Sequence, residues 1–382
     1  MSEIKVNSIK GVGASAAAIT VNNSDGTCTA NLSNRQNRNL VINGAMQVAQ
    51  RGTSSTGLGA SAGYFTLDRY RATFSSTAGR LTMSQVADVH DGFANAMKLE
   101  CTTADTSIGS SEYFILQKKI EGQDLQQLKK GSSDAEEFTV SFYVKGNANA
   151  TYVVEMYDLD NNRQVGKTFS VTTSWTRVVL TFPADTTGAL DDDNAASLQL
   201  GIWLHAGSNY TSGTLATSWV SNVSAQRAGG ITSFFDSTDR TFFLTGLQME
   251  VGSVATDFEH RSFGQELALC QRYYQTIGVG FITACRGASS SQLLYSYTPP
   301  VNMRASPTIS TTATGFHSSF GVRSYRDGSG TSDSTTTPAT VSLYWQEINP
   351  TIHLTQTGFS VTDDRSATIF VNGGAITLSA EL

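Results

Sequence analysis

Residues 138–145 read FTVSFYVK, and strand alternation is clearest in this stretch of the chain. Every second side chain is apolar, namely Phe138, Val140, Phe142 and Val144. The polar side chains between them include Thr139, Ser141 and Lys145. A period of two residues is typical of a β-strand with one face on a core and one face towards water. The stretch therefore predicts a half-buried strand.

The same signal recurs on both sides of this strand. The segments TYVVEMYD, WTRVVLTF, SLQLGIWL and TFFLTGLQMEV follow it, separated by the turn-rich stretches DLDNNRQ, PADTTGALDDDN and AGSNYTSG. Short strands at regular spacing, with Gly, Asp and Asn between them, are typical of a β-sandwich or jelly roll. Residues 39–261 are therefore predicted to form an antiparallel β-sandwich of the jelly-roll type, and the chain is predicted to be mostly β.

A helix is predicted at residues 262–277, after the sandwich. Ser262 and Gln265 have the spacing of a capping box, and Gly278 is a plausible stop. Four side chains at spacings of four, three and four residues would share one stripe, and they are Phe263, Leu267, Cys270 and Tyr274. So narrow a stripe suits packing against other helices as well as against a sheet, and in a predicted trimer three copies of it would face a common axis.

The two ends of the chain are predicted to be smaller β units. Residues 278–382 contain further strand patterns, with a hairpin expected at Asn372-Gly373 and a polar loop over residues 326–340. Residues 1–38 contain EIKVNSIK and the strand fragments of ITVNNSDGTCT, which are too short to bury a core of their own. They are predicted to be an attachment segment that packs on a partner, either another copy or a different protein.

The composition excludes some classes of protein. Charged residues make up 15% of the 382 residues and the net charge is −6, whereas a sequence-independent nucleic-acid binder needs a basic surface. The chain lacks the run of eighteen or so apolar residues that a membrane span needs, and residues 1–20 lack the apolar region of a signal peptide. We therefore expect neither a nucleic-acid partner nor membrane insertion.

Three kinds of site residue can be considered, and none of them predicts catalysis. The five histidines are scattered, and neither an HExxH pair nor a GxSxG elbow is present, so the chain is predicted not to be an enzyme and to need no cofactor. Asp191, Asp192 and Asp193 are candidate ligands of a structural calcium ion, with a solvated turn as the alternative. Tyr210, Trp219 and Trp203 are candidates to stack on a sugar, with burial as the alternative for Trp203.

Several longer motifs resemble a domain of tail-fibre and appendage proteins of tailed phages, of the marine or cyanophage type. The motifs are NLVINGAMQVAQRG at 39–52, YFTLDRY at 64–70, QKKIEGQDLQQL at 117–128, TVSFYVKG at 139–146, LTGLQMEVGSVATDFEHRSFGQELALCQRYYQ at 244–275 and VNMRASPTIS at 301–310. They cover roughly residues 39–310. The resemblance implies a jelly roll similar to carbohydrate-binding modules, on a homotrimeric appendage of the virion.

The resemblance also implies partners and a place in the particle. Such a protein is made in the host cytoplasm, docks on another virion protein, here through residues 1–38, and contacts host-surface glycan or another receptor. A short tail fibre is the expected function. A capsid-surface or vertex appendage would share the fold, and a polysaccharide-degrading tailspike is the enzymatic alternative, so both stay open at this point.

Overall fold

The protein is described here by a computed structural model. The described residues are 7–10, 12, 19–21, 24, 28–30, 37–278, 282–289, 292–311, 320–325, 331–334, 341–344, 352–357, 366–371 and 376–382.

The described residues are mostly β. In chain order the elements are β1 (Ser8–Ile9), β2 (Ile19–Val21), β3 (Cys28–Ala30), β4 (Ser54–Leu58), β5 (Gly63–Tyr64), β6 (Arg71–Ser75), β7 (Arg80–Val86), β8 (Ala96–Thr103), β9 (Tyr113–Glu121), β10 (Phe138–Gly146), β11 (Ala150–Asp158), β12 (Arg163–Val171), β13 (Thr176–Phe182), β14 (Ala196–Ala206), α1 (Ser208–Thr211), β15 (Val220–Ser221), β16 (Thr241–Val251), α2 (Phe263–Gln271), β17 (Tyr274–Ile277), β18 (Ile282–Ser289), β19 (Gln292–Tyr297), β20 (Thr308–Thr311), β21 (Phe320–Tyr325), β22 (Thr331–Ser334), β23 (Val341–Tyr344), β24 (Ile352–Thr357), β25 (Ser366–Val371) and β26 (Ile376–Ser379). Short 3₁₀ turns occupy Gly122–Asp124, Gln126–Leu128 and Ser224–Gln226.

Two antiparallel sheets share one hydrophobic core and form the predicted sandwich. The six-stranded sheet has the order β13-β10-β16-β8-β7-β4, and the seven-stranded sheet has the order β15-β12-β11-β14-β9-β6-β5. The apolar positions of FTVSFYVK point into the core, where Val140, Phe142 and Val144 are fully buried and Phe138 nearly so. The antiparallel jelly-roll prediction is therefore confirmed.

The outer face of the seven-stranded sheet is covered by its own chain. On β14 the leucines and Ile202 face the core, while Trp203 and His205 point the other way and are nevertheless fully buried. A second apolar layer forms there, because residues 207–231 cross over the strand and place Ala228 against Trp203. Strand β14 is thus buried on both faces.

The predicted helix exists but is shorter than expected. The capping box of Ser262 and Gln265 is formed, yet α2 ends at Gln271 and Tyr274 belongs to strand β17. The four-residue stripe is therefore wrong, because Phe263 is 57% exposed whereas Cys270 is buried inside the same chain. Burial and the carboxylates nearby raise the pKa of the Cys270 thiol well above its usual value.

The C-terminal part of the chain forms two sheets. Strands β17, β26 and β20 make a three-stranded sheet, and β22-β21-β25-β18-β19-β24-β23 make a second, separate sheet. The hairpin expected at Asn372-Gly373 is wrong, because β25 pairs with β18 and β21 whereas β26 pairs with β17 and β20. Thr331–Ser334 is a strand inside the stretch predicted to be a loop, and the remainder of 326–340 lies outside the described residues.

The N-terminal strands pair with one another. β2 pairs with β1 and with β3, which confirms the two strand fragments around residues 22–27. Residues 3–6 of EIKVNSIK lie outside the described residues. Docking of residues 1–38 on a partner stays a prediction.

Five polar side chains are buried where the sandwich meets α2 and β17, and we call this set the polar junction. Its members are Asn43, Asp68, Arg69, Lys118 and Glu266, each at most 4% exposed. A buried polar group is costly unless it is hydrogen-bonded, so each of them needs a partner. The five residues come from four of the motifs quoted above.

Asn43 connects the parts of the junction. Its side chain donates to the carbonyls of Val48 (2.8 Å) and Asp68 (3.0 Å) and accepts from the Val48 amide at 3.0 Å. Its own amide donates to Glu266 on α2. The backbone at Asn43 has φ +61°, a conformation that Asn tolerates better than most residues. Next to it, a Cβ on Gly44 would lie 2.1 Å from the carbonyl oxygen of Leu247, so only glycine fits.

The cations of the junction sit on aromatic rings. Arg69 lies 3.5 Å from the ring centre of Tyr273, and it also binds Glu381 and the carbonyl of Lys119. Lys118 donates to the carbonyl of Ile42 and lies 3.6 Å from the ring centre of Tyr70. Burial, followed by the charge of Arg69, lowers the pKa of Lys118 to about 7. The C-terminal residues are thus anchored to the body of the sandwich.

We predict that Asn43→Ala lowers the free energy of unfolding by about 3 kcal/mol or more, because each buried group that it leaves unpaired costs roughly 1–3 kcal/mol. Urea denaturation measures the effect. Asn162→Ala is a matched control, since Asn162 also has a positive φ (53°) but is exposed. Its loss should be about 1 kcal/mol or less. Equal losses for the two variants would contradict the role given to Asn43.

A second prediction concerns Lys118. Its pKa is about 7 in the folded chain and roughly 10.4 in the unfolded chain. Between these two pH values the unfolded state binds one more proton than the folded state. Lys118 therefore makes the free energy of unfolding rise with pH, by up to about 1.4 kcal/mol per pH unit. This stabilisation is lost as the pH falls towards 7. Lys118→Met should remove that slope in urea denaturation at pH 7 to 10. The exposed control Lys129→Met should keep it, and identical slopes for Lys118→Met and the unmodified protein would refute the assignment.

Candidate functional site

The outer face of the six-stranded sheet carries a band of aromatic side chains, which we call the aromatic strip. Its members are His90, Phe93, Tyr143, Trp175 and Phe243. All except Phe243, which is 8% exposed, are half-buried. Phe258 and His260 extend the strip beyond Phe93, at ring-centre distances of 5.1 and 5.2 Å.

A β-bulge places two of these rings. The pairing of β10 with β16 shifts between Ser141 and Tyr143, opposite Gly246, which has φ +62°. A Cβ on Gly246 would lie 2.6 Å from the ring of Phe93 and 3.0 Å from that of Tyr143. Glycine at the bulge therefore supplies the left-handed backbone and the space that lets both rings lie against the sheet.

Polar groups accompany the rings. Lys145 lies 5.4 Å from the ring centre of Trp175 and 4.8 Å from that of Phe243, and it forms an ion pair with Asp88 at 2.7 Å. The indole nitrogen of Trp175 is buried without a hydrogen-bond partner. Ring faces and hydrogen-bonding groups side by side can bind a ligand that has apolar C–H faces and hydroxyls.

Two of the three predicted stacking residues are internal. Trp203 is fully buried, as its alternative interpretation required, and its indole nitrogen donates to Glu155 at 2.9 Å. The half-buried Trp219 packs on the core and donates to the carbonyl of Pro183 at 2.9 Å. Their indole N–H groups are therefore used for internal hydrogen bonds.

Tyr210 is half-buried and lies in an open depression of about 520 Å³. It packs against Tyr113 and Trp203, with ring centres at 5.4 and 5.3 Å. The other lining residues are Ser208, Asn209, Ser212, Ser224 and Ala225. This depression is a second place where a ligand with hydroxyl groups could bind.

The residues of the strip were missed in the sequence, although one signal was available. In FTVSFYVK, Tyr143 occupies a position of the polar face, and a large aromatic residue there is unusual. His90 and Phe93 lie outside the strands, so alternation gives no information about them, and Trp175 immediately precedes strand β13.

A groove with a volume of about 1030 Å³ runs beside α2. Charged side chains line it, including Arg38, Glu259 and Arg261. Arg261 donates to the carbonyl of Asn39, and Glu259 accepts from the amide of that residue at 2.7 Å. These residues fix the corner before the helix through the N-terminal loop of the sandwich.

The three aspartates of the predicted calcium site lie at the surface. Asp191, Asp192 and Asp193 are exposed in a turn, and calcium at that turn stays a prediction. Among the described residues, three potential metal ligands converge elsewhere, with ligand atoms within 4.8 Å of one another: Asp105, Glu112 and His205. We find no helix in the described part of the chain that is long and apolar enough to cross a membrane.

Comparisons with known proteins find structural likeness only. No protein-family model and no curated protein matches the chain. Among solved structures, TmCBM61 in complex with beta-1,4-galactotriose is 10% identical with a TM-score of 0.29, and 56% of this chain and 99% of that chain are covered.

Two other carbohydrate-binding modules give similar values. The family 11 module of a cellulosomal cellulase of Clostridium thermocellum is 11% identical with a TM-score of 0.26, covering 54% of this chain and 98% of that chain. A family 30 module is 11% identical with a TM-score of 0.29, covering 60% and 94%. At TM-scores this low, the likeness assigns neither a ligand nor a site to this chain.

Proposed function

We propose that this chain is a structural component of a phage virion, a short trimeric tail fibre that binds host-surface glycan without cleaving it. The observation that carries the glycan part is the aromatic strip. It is a row of half-buried rings with a lysine and a carboxylate beside them, on the sheet face that residues 207–231 do not cover.

The strip matches the chemistry of a sugar ligand. Apolar C–H faces of a sugar ring stack on Trp175 and Tyr143, while Lys145 and Asp88 exchange hydrogen bonds with hydroxyl groups. Each hydroxyl gives little net energy, because it exchanges water for protein. Binding at one site is therefore weak, and several copies on one particle compensate by raising the effective concentration.

The virion part of the proposal is supported by the motif resemblance of residues 39–310. Residues 1–38 would dock on another particle protein, and the sandwich would face the host. A capsid-surface appendage has the same support, and labelling of intact particles with antibody against this chain distinguishes tail from capsid.

We predict that the double variant Trp175→Ala/Tyr143→Ala binds host envelope polysaccharide at least about tenfold more weakly than the unmodified chain, a loss of about 1.4 kcal/mol. A pull-down measures binding, and sizing of the polymer detects cleavage. Shortened polymer would move the function to the tailspike alternative.

Two controls locate the site. Val223→Ala changes a side chain that is 45% exposed in the segment covering the other sheet, and should leave binding unchanged. Tyr210→Ala tests the depression, and loss of binding in that variant alone would place the glycan there instead. Failure of the unmodified chain to bind polysaccharide or host cells would contradict the glycan part.

The proposed trimer gives a separate prediction. Light scattering should report about three times the chain mass of 40.8 kDa. Phe263 is the stripe residue that remains accessible to another copy, so Phe263→Ser should weaken the trimer. Val254→Ser, at a residue 63% exposed, is the control and should not. An unmodified chain that stays monomeric at micromolar concentration would exclude the trimer.

A further inference from the structure

A histidine and two carboxylates meet at one end of the seven-stranded sheet. His205 is on β14, Glu112 directly precedes β9, and Asp105 follows β8 of the opposite sheet. His205 is fully buried, Asp105 is 5% exposed, and the side chain of Glu112 is 14% exposed. The cluster is therefore inside the protein, with access from solvent only past Glu112.

Two polar atoms in the cluster lack hydrogen bonds. Nε2 of His205 and Oε2 of Glu112 are both buried and unpartnered, and they lie 3.6 Å apart. That distance is too long for a hydrogen bond. Buried polar atoms without partners are rare in folded proteins, and two that face each other indicate that something belongs between them.

The remaining contacts orient these ligands. Nδ1 of His205 lies 2.8 Å from Oγ of Ser233, and that hydroxyl oxygen also accepts from the amide of Phe235 at 3.0 Å. When Nδ1 carries the proton and donates it to Ser233, the lone pair of Nε2 faces Glu112. A hydrogen bond to the second nitrogen is the usual way in which proteins orient a metal-binding histidine.

The third ligand is also held in place. Oδ2 of Asp105 accepts from the hydroxyl of Thr77 at 2.7 Å and from the amide of Ala78 at 2.8 Å. Burial opposes ionisation of Asp105, but these hydrogen bonds outweigh it and lower its pKa. Burial lowers the pKa of His205, which favours the neutral imidazole that binds metals.

We propose that Asp105, Glu112 and His205 bind one divalent transition-metal ion, with Zn²⁺ as the best match. Imidazole nitrogen combined with carboxylate oxygen suits Zn²⁺ and its neighbours, whereas Ca²⁺ takes six to eight oxygen ligands. In a tetrahedral zinc site each ligand atom lies about 2.0–2.2 Å from the metal, so two neighbouring ligand atoms are roughly 3–3.6 Å from each other. The pair of Nε2 and Oε2 already has that spacing.

The ion would join segments that backbone hydrogen bonds already bring together. The amide of Asp105 donates to the carbonyl of Phe235 at 2.8 Å. The amide of Gly207 donates to the carbonyl of Glu112, also at 2.8 Å. Gly207 begins the segment that covers β14. A metal here would fasten the start of that segment to both sheets, so its role is structural.

Metal-depleted full-length protein tests the site. Titration calorimetry with Zn²⁺ alone should show one ion bound per chain, and Zn²⁺ should raise the Tm by several degrees because it binds the folded state. Glu112→Gln should weaken Zn²⁺ binding by more than about tenfold, the loss that even an outer-shell change causes. Glu100→Gln is the matched control on β8, where the side chain is 39% exposed, and should bind as the unmodified chain does.

The outcomes are distinct. Far-UV circular dichroism checks that Glu112→Gln is folded, and the stoichiometry and Tm shift of the unmodified chain test the site without any variant. Absence of Zn²⁺ binding, or equal binding by Glu112→Gln and the unmodified chain, would overturn the proposal. Ca²⁺ that displaces Zn²⁺ at equal concentration would overturn the choice of metal.

Discussion

The burial of ionisable groups in the polar junction is the constraint on which the rest of this structure depends. A charge or an amide removed from water must find its partners inside the protein, because leaving one unpaired costs as much as many side-chain contacts provide. The partners here are distant in sequence. Asn43 binds Glu266, 223 residues later, and Arg69 binds Glu381, 312 residues later. The sandwich, the helix and the last residues therefore form one cooperative unit.

This constraint explains what the motif resemblance does and does not indicate. Asn43, Asp68, Lys118 and Glu266 each belong to a quoted motif, and all four are buried. The motifs contain the buried polar residues that join distant parts of the chain, so a resemblance in them is informative about architecture. His90 and Trp175 of the aromatic strip lie between the motifs. Part of the strip can therefore differ among chains that share the junction, while Tyr143 and Lys145 belong to the motif TVSFYVKG.

The sequence predicts local features well and long-range ones poorly. The alternation around Phe142 and the capping box of Ser262 depend on neighbouring residues, and both predictions are confirmed. The helix stripe failed because Tyr274 leaves the helix to pair with β26, a partner about a hundred residues away. The Asn-Gly hairpin failed for the same reason. Trp203 was a stacking candidate with burial as the alternative, and its hydrogen bond to Glu155 depends on strand pairing that no local pattern specifies.

The two outer sheet faces are therefore suited to different tasks. On the seven-stranded sheet, residues 207–231 bury Trp203 and Glu155, and Arg227 binds both oxygens of Glu155 at 2.7 Å. Glu155 is 1% exposed, so loss of Arg227 alone would leave a buried charge without its ion-pair partner, and lifting the whole segment would also expose the apolar layer around Trp203. The covering segment therefore cannot lift without a large cost, and the face beneath it is unsuited to a ligand that comes and goes. The six-stranded sheet keeps half-buried rings at the surface, so reversible binding there needs no rearrangement of the fold.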